Sequence, residues 1–272
     1  MATYAMKVEH DITHPVNLPA VASEIPSPVR EVLTSYQTRI EKLLLKIGCL
    51  DGLETFAFEH SLPRQFLLLL QRAMGLFDES SRFYVNYLRR QGLAVPCQEG
   101  CAHCCQNMPA GTSVVELLYL YHGMHQSGVF PRLFRHSFEA EQVLTQLLLL
   151  CQDRCGGPLA ATAESHRDQV LQLYQRLGNP CSFSRGNLCQ LYPYRPFACR
   201  LHYSLSPACW CDPRHFQFPH ARIINLATSN CVHDALDRIE RRLQIHLSEI
   251  LVCGILELTV NVMQFDPIRW VH

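Results

Sequence analysis

Residues 63–91 read PRQFLLLLQRAMGLFDESSRFYVNYLRRQ. Phe66, Leu70, Ala73, Phe77, Tyr84 and Leu88 recur at three- and four-residue steps, which places them on one face of an α-helix. The run starts after Pro63, and Gly75 marks an expected break. The same period continues on both sides. From Glu31, the residues Leu33, Tyr36, Ile40, Leu43, Leu44 and Ile47 lead to a stop at Gly48. Ser113-x-x-Glu116 is a capping-box pattern ahead of Val114, Leu117, Leu118 and Tyr121, so a third helix begins there. Two more helices are expected over about 131–151 and 162–177, and a last long one over about Val232 to Met263. Strand signals are few. Ile223, Ile224 and Leu226 form at most one short strand. The expected fold class is mostly α, a bundle-like helical scaffold.

Two irregular segments, 94–112 and 178–220, interrupt the helices. The second holds prolines at 180, 193, 196, 207, 213 and 219, which no regular helix or central strand tolerates. Four regions follow: an extended lead-in over 1–29, a helical region over 30–93, a cysteine-bearing region over 94–220, and a C-terminal region over 221–272 whose helix packs on the rest.

The chain has 272 residues, with 24 basic and 24 acidic side chains. That is enough length for an ordinary core, and zero net charge argues against binding nucleic acid or an anionic membrane. The N-terminus lacks the basic and apolar segments of a secretory signal. No stretch approaches the roughly 18 apolar residues of a membrane span; Ile250 to Val262 is broken by Glu257 and reads as a buried helix. A cytoplasmic location is expected. In a reducing compartment the fourteen cysteines read as metal ligands or redox groups rather than disulfides.

The first irregular segment carries Cys97-Gln-Glu-Gly-Cys101-Ala-His-Cys104-Cys105, four cysteines in nine residues. Thiols at this spacing on a loop can turn toward one centre, and Gly100 permits the tight backbone required. The second segment carries Cys181, Cys189 and Cys199, followed by Cys209 and Cys211. Cys49, Cys231 and Cys253 are read as core residues. Cys151 and Cys155, four apart on one helix face, could form a second soft-metal site or a redox pair, with Gly156-Gly157 ending that helix. His103, His202 and His233 have cysteine neighbours and are further candidate ligands. The spacing Cys97-x3-Cys101-x2-Cys104 also matches the three-cysteine loop of radical S-adenosylmethionine enzymes. Those enzymes continue into alternating strands and helices, whereas this chain continues into helix after helix. Nucleotide-binding glycine motifs, H-E-x-x-H and G-x-S-x-G are absent.

The full pattern is Cys97-x3-Cys101-x2-Cys104-Cys105, Asn-Pro-Cys181-Ser-Phe, then Asn187-Leu-Cys189-Gln-Leu-Tyr192-Pro-Tyr-Arg195-Pro196-Phe-Ala-Cys199-Arg200. It resembles the zinc- or iron-chelating cysteine-cluster family of the YkgJ type over roughly residues 95–212. One extra residue separates the first two cysteines, and Ser182 stands where the family has proline. The resemblance implies Cys97, Cys101, Cys104, Cys105, Cys181, Cys189 and Cys199 as metal ligands, with Cys209 or Cys211 as an eighth. Seven or eight thiolates exceed the four of one tetrahedral zinc or one [4Fe–4S] cluster. Two centres, one bridged centre and redox-active spare thiols all fit that number. Arg195 and Arg200 flank Cys199 and are candidate cofactor-binding cations, since four thiolates around a dication leave a net negative charge. The alternative for Arg195 is a loop-capping contact.

The expected function is an iron–sulfur protein, with [4Fe–4S] favoured, serving electron transfer or a redox or modification reaction with a protein or redox partner. Two alternatives stand beside it. One is a non-catalytic zinc- or iron-binding module. The other is a protein lysine methylase-like enzyme using S-adenosylmethionine, because a flagellin lysine N-methylase carries a similar cluster.

Overall fold

The computed structural model describes residues 16–19, 25–98, 100–154, 163–186 and 188–272. The described chain is mostly helical. It runs β1 (Val16–Pro19), α1 (Ser27–Ile47), α2 (Phe56–Glu59), β2 (Ser61–Pro63), α3 (Arg64–Arg90), α4 (Val114–Gln126), α5 (Phe130–Arg154), α6 (Ala163–Leu177), β3 (Ser184–Arg185), β4 (Leu188–Cys189), α7 (Phe197–Arg200), β5 (His202–Ser204), β6 (Arg222–Asn225), α8 (Asn230–Leu243), α9 (Leu251–Glu257) and β7 (Arg269–Val271).

The sequence reading needs three adjustments. Helix α1 begins at Ser27, inside the expected lead-in, because Pro28 sits in its first turn, where a missing N–H costs nothing. Helix α3 is unbroken through Gly75. Ala73, Met74, Leu76 and Phe77 on either side are all buried, and their burial outweighs the roughly 1 kcal/mol that an interior glycine costs. The expected 232–263 helix is two helices. Gln244 takes left-handed backbone angles and ends α8. The chain restarts at α9, where Glu257 Oε2 accepts a 2.6 Å hydrogen bond from the Ser248 amide. That carboxylate interrupts the apolar run because it holds the turn before its own helix.

Helix α4 is the central element. Every residue from Val114 to Met124 is buried, the mark of a helix surrounded by others. It packs on α5, α8 and α9, while α1 packs against α3 and α8. One main core joins residues from Ile25 to Ile268, so the four regions share a single interior. A smaller cluster joins Ala140, Leu144 and Cys151 of α5, Val170 and Tyr174 of α6, and Val252 of α9.

The strands are short. The expected strand near Ile223 is β6, the middle of a three-stranded sheet in the order β1-β6-β5. Its register pairs Val16 with Arg222 in parallel and Tyr203 with Ile224 in antiparallel. β2 pairs in parallel with β7, and β3 with β4 in antiparallel. No helix among the described residues is long and apolar enough to cross a membrane.

Candidate functional site

The first cysteine loop is a succession of tight turns. Gly100 has φ +90°, a conformation that disfavours any other residue. The Cys101 amide then bonds the Gln98 carbonyl at 3.0 Å, and the Cys105 amide bonds the Ala102 carbonyl at 3.0 Å. Residues His103–Gln106 form a 3-10 turn. Cys97 lies ahead of these turns, and its Sγ accepts a 3.1 Å hydrogen bond from the Ser204 amide at the end of β5.

The second loop is stitched directly onto the first. The Cys181 amide donates to the Cys105 carbonyl at 2.6 Å, and the Ser184 amide to the Cys181 carbonyl at 2.8 Å. Ser184 pairs with Cys189 across the β3–β4 hairpin, so Cys181 and Cys189 stand at its base. Cys199 rides on α7, whose first amide, Phe197 N–H, donates to buried Glu116 Oε1 at 2.6 Å. Glu116 therefore serves two helices. Its other oxygen accepts from the Ser113 amide (2.9 Å) and hydroxyl (2.7 Å), completing the expected capping box. Burial pushes its carboxyl above the usual range, against the pull of these donors.

A third piece closes the group. Residues Ala208–Cys211 form another 3-10 turn, and Asp212 just beyond is clamped by Arg214. That pairing holds the Asp212 carboxyl well below its ordinary range. Cys211 is buried with Ala221 and Ile223, and Cys104 and Trp210 pack against this group. Cys209 is exposed.

The thiols of these pieces act on one another electrostatically. The Cys181 thiol is pushed up to about 12 by burial, with Cys105 and Cys189 adding to the effect. Cys189 is raised by burial and by Cys105. Cys199 keeps an exposed face. The chain packed around its sulfur raises its thiol, and Cys181, Cys105 and Cys189 add to that. On the other side, Cys97 is pushed up to about 11 by burial, helped by Cys101 and Cys211. Cys211 is raised by burial and feels Cys101 and Cys209. The adjacent Cys105 thiol and burial raise Cys104, with Cys199 and Cys211 adding to the effect, while Cys104 holds Cys105 down to about 7.

Arg195 and Arg200 converge on a residue the sequence did not single out. Arg200 Nη1 reaches Asp78 Oδ2 at 2.5 Å, and Arg195 Nη2 reaches Asp78 Oδ1 at 2.9 Å. Arg200 is 1% exposed and spends its remaining donors on the carbonyls of Pro193 (2.6 Å) and Arg195 (2.7 Å). Arg195 donates to the Tyr192 carbonyl at 2.9 Å and stacks over the Tyr192 ring. The guanidinium groups are thus engaged in holding the Cys199 loop. What reaches the thiols is their charge: both arginines act to lower Cys189, and Arg195 acts to lower Cys199.

The remaining candidates fall elsewhere. His202 Nδ1 is 2.8 Å from Asn225 Oδ1 across β5 and β6, and burial lowers its imidazole below the ordinary value. His233 is bound to the Thr228 hydroxyl. His103 stands half-buried in its 3-10 turn. Cys49 and Cys231 are exposed, which corrects their reading as core residues. Cys49 follows the end of α1, and Cys231 lies on the solvent side of α8. Cys253 is half-buried against the small cluster that contains Cys151. Cys155 and Gly156-Gly157 lie outside the described residues, as does Asn187 of the second loop motif. Asp78 and Ser204 were missed because an acid beside Glu79 on an amphipathic helix and a serine in a short strand carry no local signal.

Compared with protein families, curated proteins and solved structures, this chain matches none. The resemblance of its cysteine loops therefore rests on their motif residues and spacing alone. Among the described residues, no three or more His, Cys, Asp or Glu side chains form a group that could hold a metal ion as they stand. The fit is one of donor chemistry. Soft thiols, clustered and free of disulfides among the described cysteines, suit zinc or iron–sulfur chemistry. Ligation would deprotonate the raised thiols, since metal binding releases thiol protons.

Proposed function

We propose that this chain holds an iron–sulfur cluster through its cysteine loops, for electron transfer or for a redox or modification reaction with a partner. The observation that carries this reading is the 2.6 Å bond from the Cys181 amide to the Cys105 carbonyl. It brings together two cysteine segments remote in sequence. Nine thiols, Cys97, Cys101, Cys104, Cys105, Cys181, Cys189, Cys199, Cys209 and Cys211, fall on these two segments and on the 208–211 turn, against whose Cys211 cluster Cys104 packs. Thiolates are the ligands that iron–sulfur clusters use, and the cluster would supply one-electron chemistry when bound. The charges of Arg195 and Arg200 bear on Cys189 and Cys199 and would offset part of the negative charge of a thiolate shell. A reducing compartment such as the cytoplasm belongs to this reading, because the thiols must stay reduced to ligate.

A second reading, a zinc-holding module without catalysis, has one observation in its favour. The cysteines sit on short turns and at the base of a two-residue-strand hairpin, and closed tetrahedral zinc sites use such turns. Preparation of the full chain without oxygen separates the two. Brown protein with iron and acid-labile sulfide in stoichiometric amounts is the expected outcome. Colourless protein containing zinc alone would overturn the iron–sulfur reading.

A further inference from the structure

We infer that Cys105 and Cys181 are a redox pair, which a peroxide oxidises to a disulfide that fastens the two cysteine loops together in the metal-free chain. The pairing needs no metal, so it stands or falls apart from the metal-holding reading above.

Backbone contact selects the pair. The Cys181 amide donates to the Cys105 carbonyl at 2.6 Å. Residues joined by such a bond in paired strands have Cα atoms about 5.5 Å apart, within the roughly 4.4–6.8 Å across which disulfides form. Both cysteines are free, and neither is fully buried. Neighbouring thiols are engaged elsewhere. Cys104 packs against the group of Cys211, Ala221 and Ile223, and Cys97 Sγ accepts from the Ser204 amide. Cys189 is held opposite Ser184 in the β3–β4 hairpin. The Cys105 thiol also acts on Cys181 electrostatically.

The step is a two-electron oxidation. Peroxide converts one thiol to a sulfenic acid and is itself reduced, releasing one water. The second sulfur then displaces the sulfenic oxygen, which leaves with the thiol proton as a second water while the S–S bond forms. A dithiol reductant reverses the bond by exchange. Between Cys105 and Cys181 lie α4, α5 and α6, so the disulfide closes a loop around the central helix and withdraws two thiols from ligation. Closing so long a loop restricts the unfolded chain.

The test treats the reduced, metal-free full chain with an equivalent of hydrogen peroxide, blocks the remaining thiols with N-ethylmaleimide and digests it with trypsin without reductant. Cleavage after Arg176 and Arg185 releases peptide 177–185, whose only cysteine is Cys181, and cleavage after Arg90 and Arg132 releases peptide 91–132, which carries Cys105. The expected main product is these two peptides linked, with fragment ions placing the bond at Cys105 and with separation on adding dithiothreitol. Cys105→Ala should abolish the link and Cys104→Ala should keep it. The oxidised chain should also unfold at a higher temperature than the reduced one. A link from Cys181 to any other cysteine, a Cys104–Cys105 bond that leaves Cys181 blocked, or an unfolding temperature no higher after oxidation would overturn the inference. Iron and sulfide content, measured separately, decides the metal-holding reading whichever result is found. The wild-type fragment ions locate the bond even where a variant does not fold.

Discussion

Asp78 is the residue on which the Cys199 loop turns. Its two oxygens are shared between Arg195 and Arg200, and Arg200 is almost wholly buried. An arginine inside a protein is tolerable only when its charge and donors are matched. Removing Asp78 leaves the two carbonyls to satisfy the donors but nothing to balance the charge. Asp78→Ala should therefore destabilise the fold by about 3 kcal/mol, toward the low end for breaking a buried pair because Asp78 is itself one-third exposed. Chemical denaturation of the metal-free protein measures this directly. A loss within about 0.5 kcal/mol, the size of a neutral surface substitution, would show that the backbone carbonyls alone hold Arg200.

Between elements, α4 comes very close to the turn at Tyr192–Tyr194. A Cβ on Gly123 would lie 2.4 Å from Tyr194 Cγ and 2.9 Å from its Cβ. Contact so near the Tyr194 backbone cannot be relieved by swinging the ring. Gly123→Ala gains about 1 kcal/mol of helix propensity, yet it should still destabilise the protein, by about 1–3 kcal/mol from overpacking. A variant at least as stable as the parent in thermal unfolding would contradict that packing. The 63–91 stretch yields its helix because burial and period coincide at Phe66, Leu70, Ala73 and Phe77. The 232–263 stretch misleads because its apolar period runs on while Gln244 and the Glu257–Ser248 contact stop the helix. The cysteine spacing marked out the candidate thiols. Their grouping depends on contacts such as Ser204 to Cys97, 107 residues apart in sequence, and on Asp78, 117 residues from Arg195. Neither leaves a periodic trace.

Across the whole molecule, the last strand is tied back to the central helix. Trp270 of β7 donates its indole N–H to His122 Nδ1 of α4 at 3.2 Å, with the two rings edge to face. Burial holds the His122 imidazole below its ordinary value, helped by His125. The folded state therefore prefers neutral His122. This stability is present above the ordinary histidine value and is lost as pH falls through the lowered one. Protonated Nδ1 also cannot accept the indole bond. In a Trp210→Phe background, Trp270 fluorescence should report loosening of β7 under mildly acidic conditions, and His122→Asn should remove that transition. An unchanged acid transition in the His122 variant would assign it to another group.

The two parallel strand pairs carry a further consequence. β1 joins residues 16–19 to 222–225, and β2 joins residues 61–63 to 269–271. In each case an early segment finds its partner only after nearly all the intervening chain is made. Such long loops are slow to close, since their entropy is spent before any contact rewards it. During synthesis, residues 97–211 emerge well before β7 exists. Every candidate ligand can thus meet metal, oxidant or chaperone on the ribosome before the second of these pairs locks the chain.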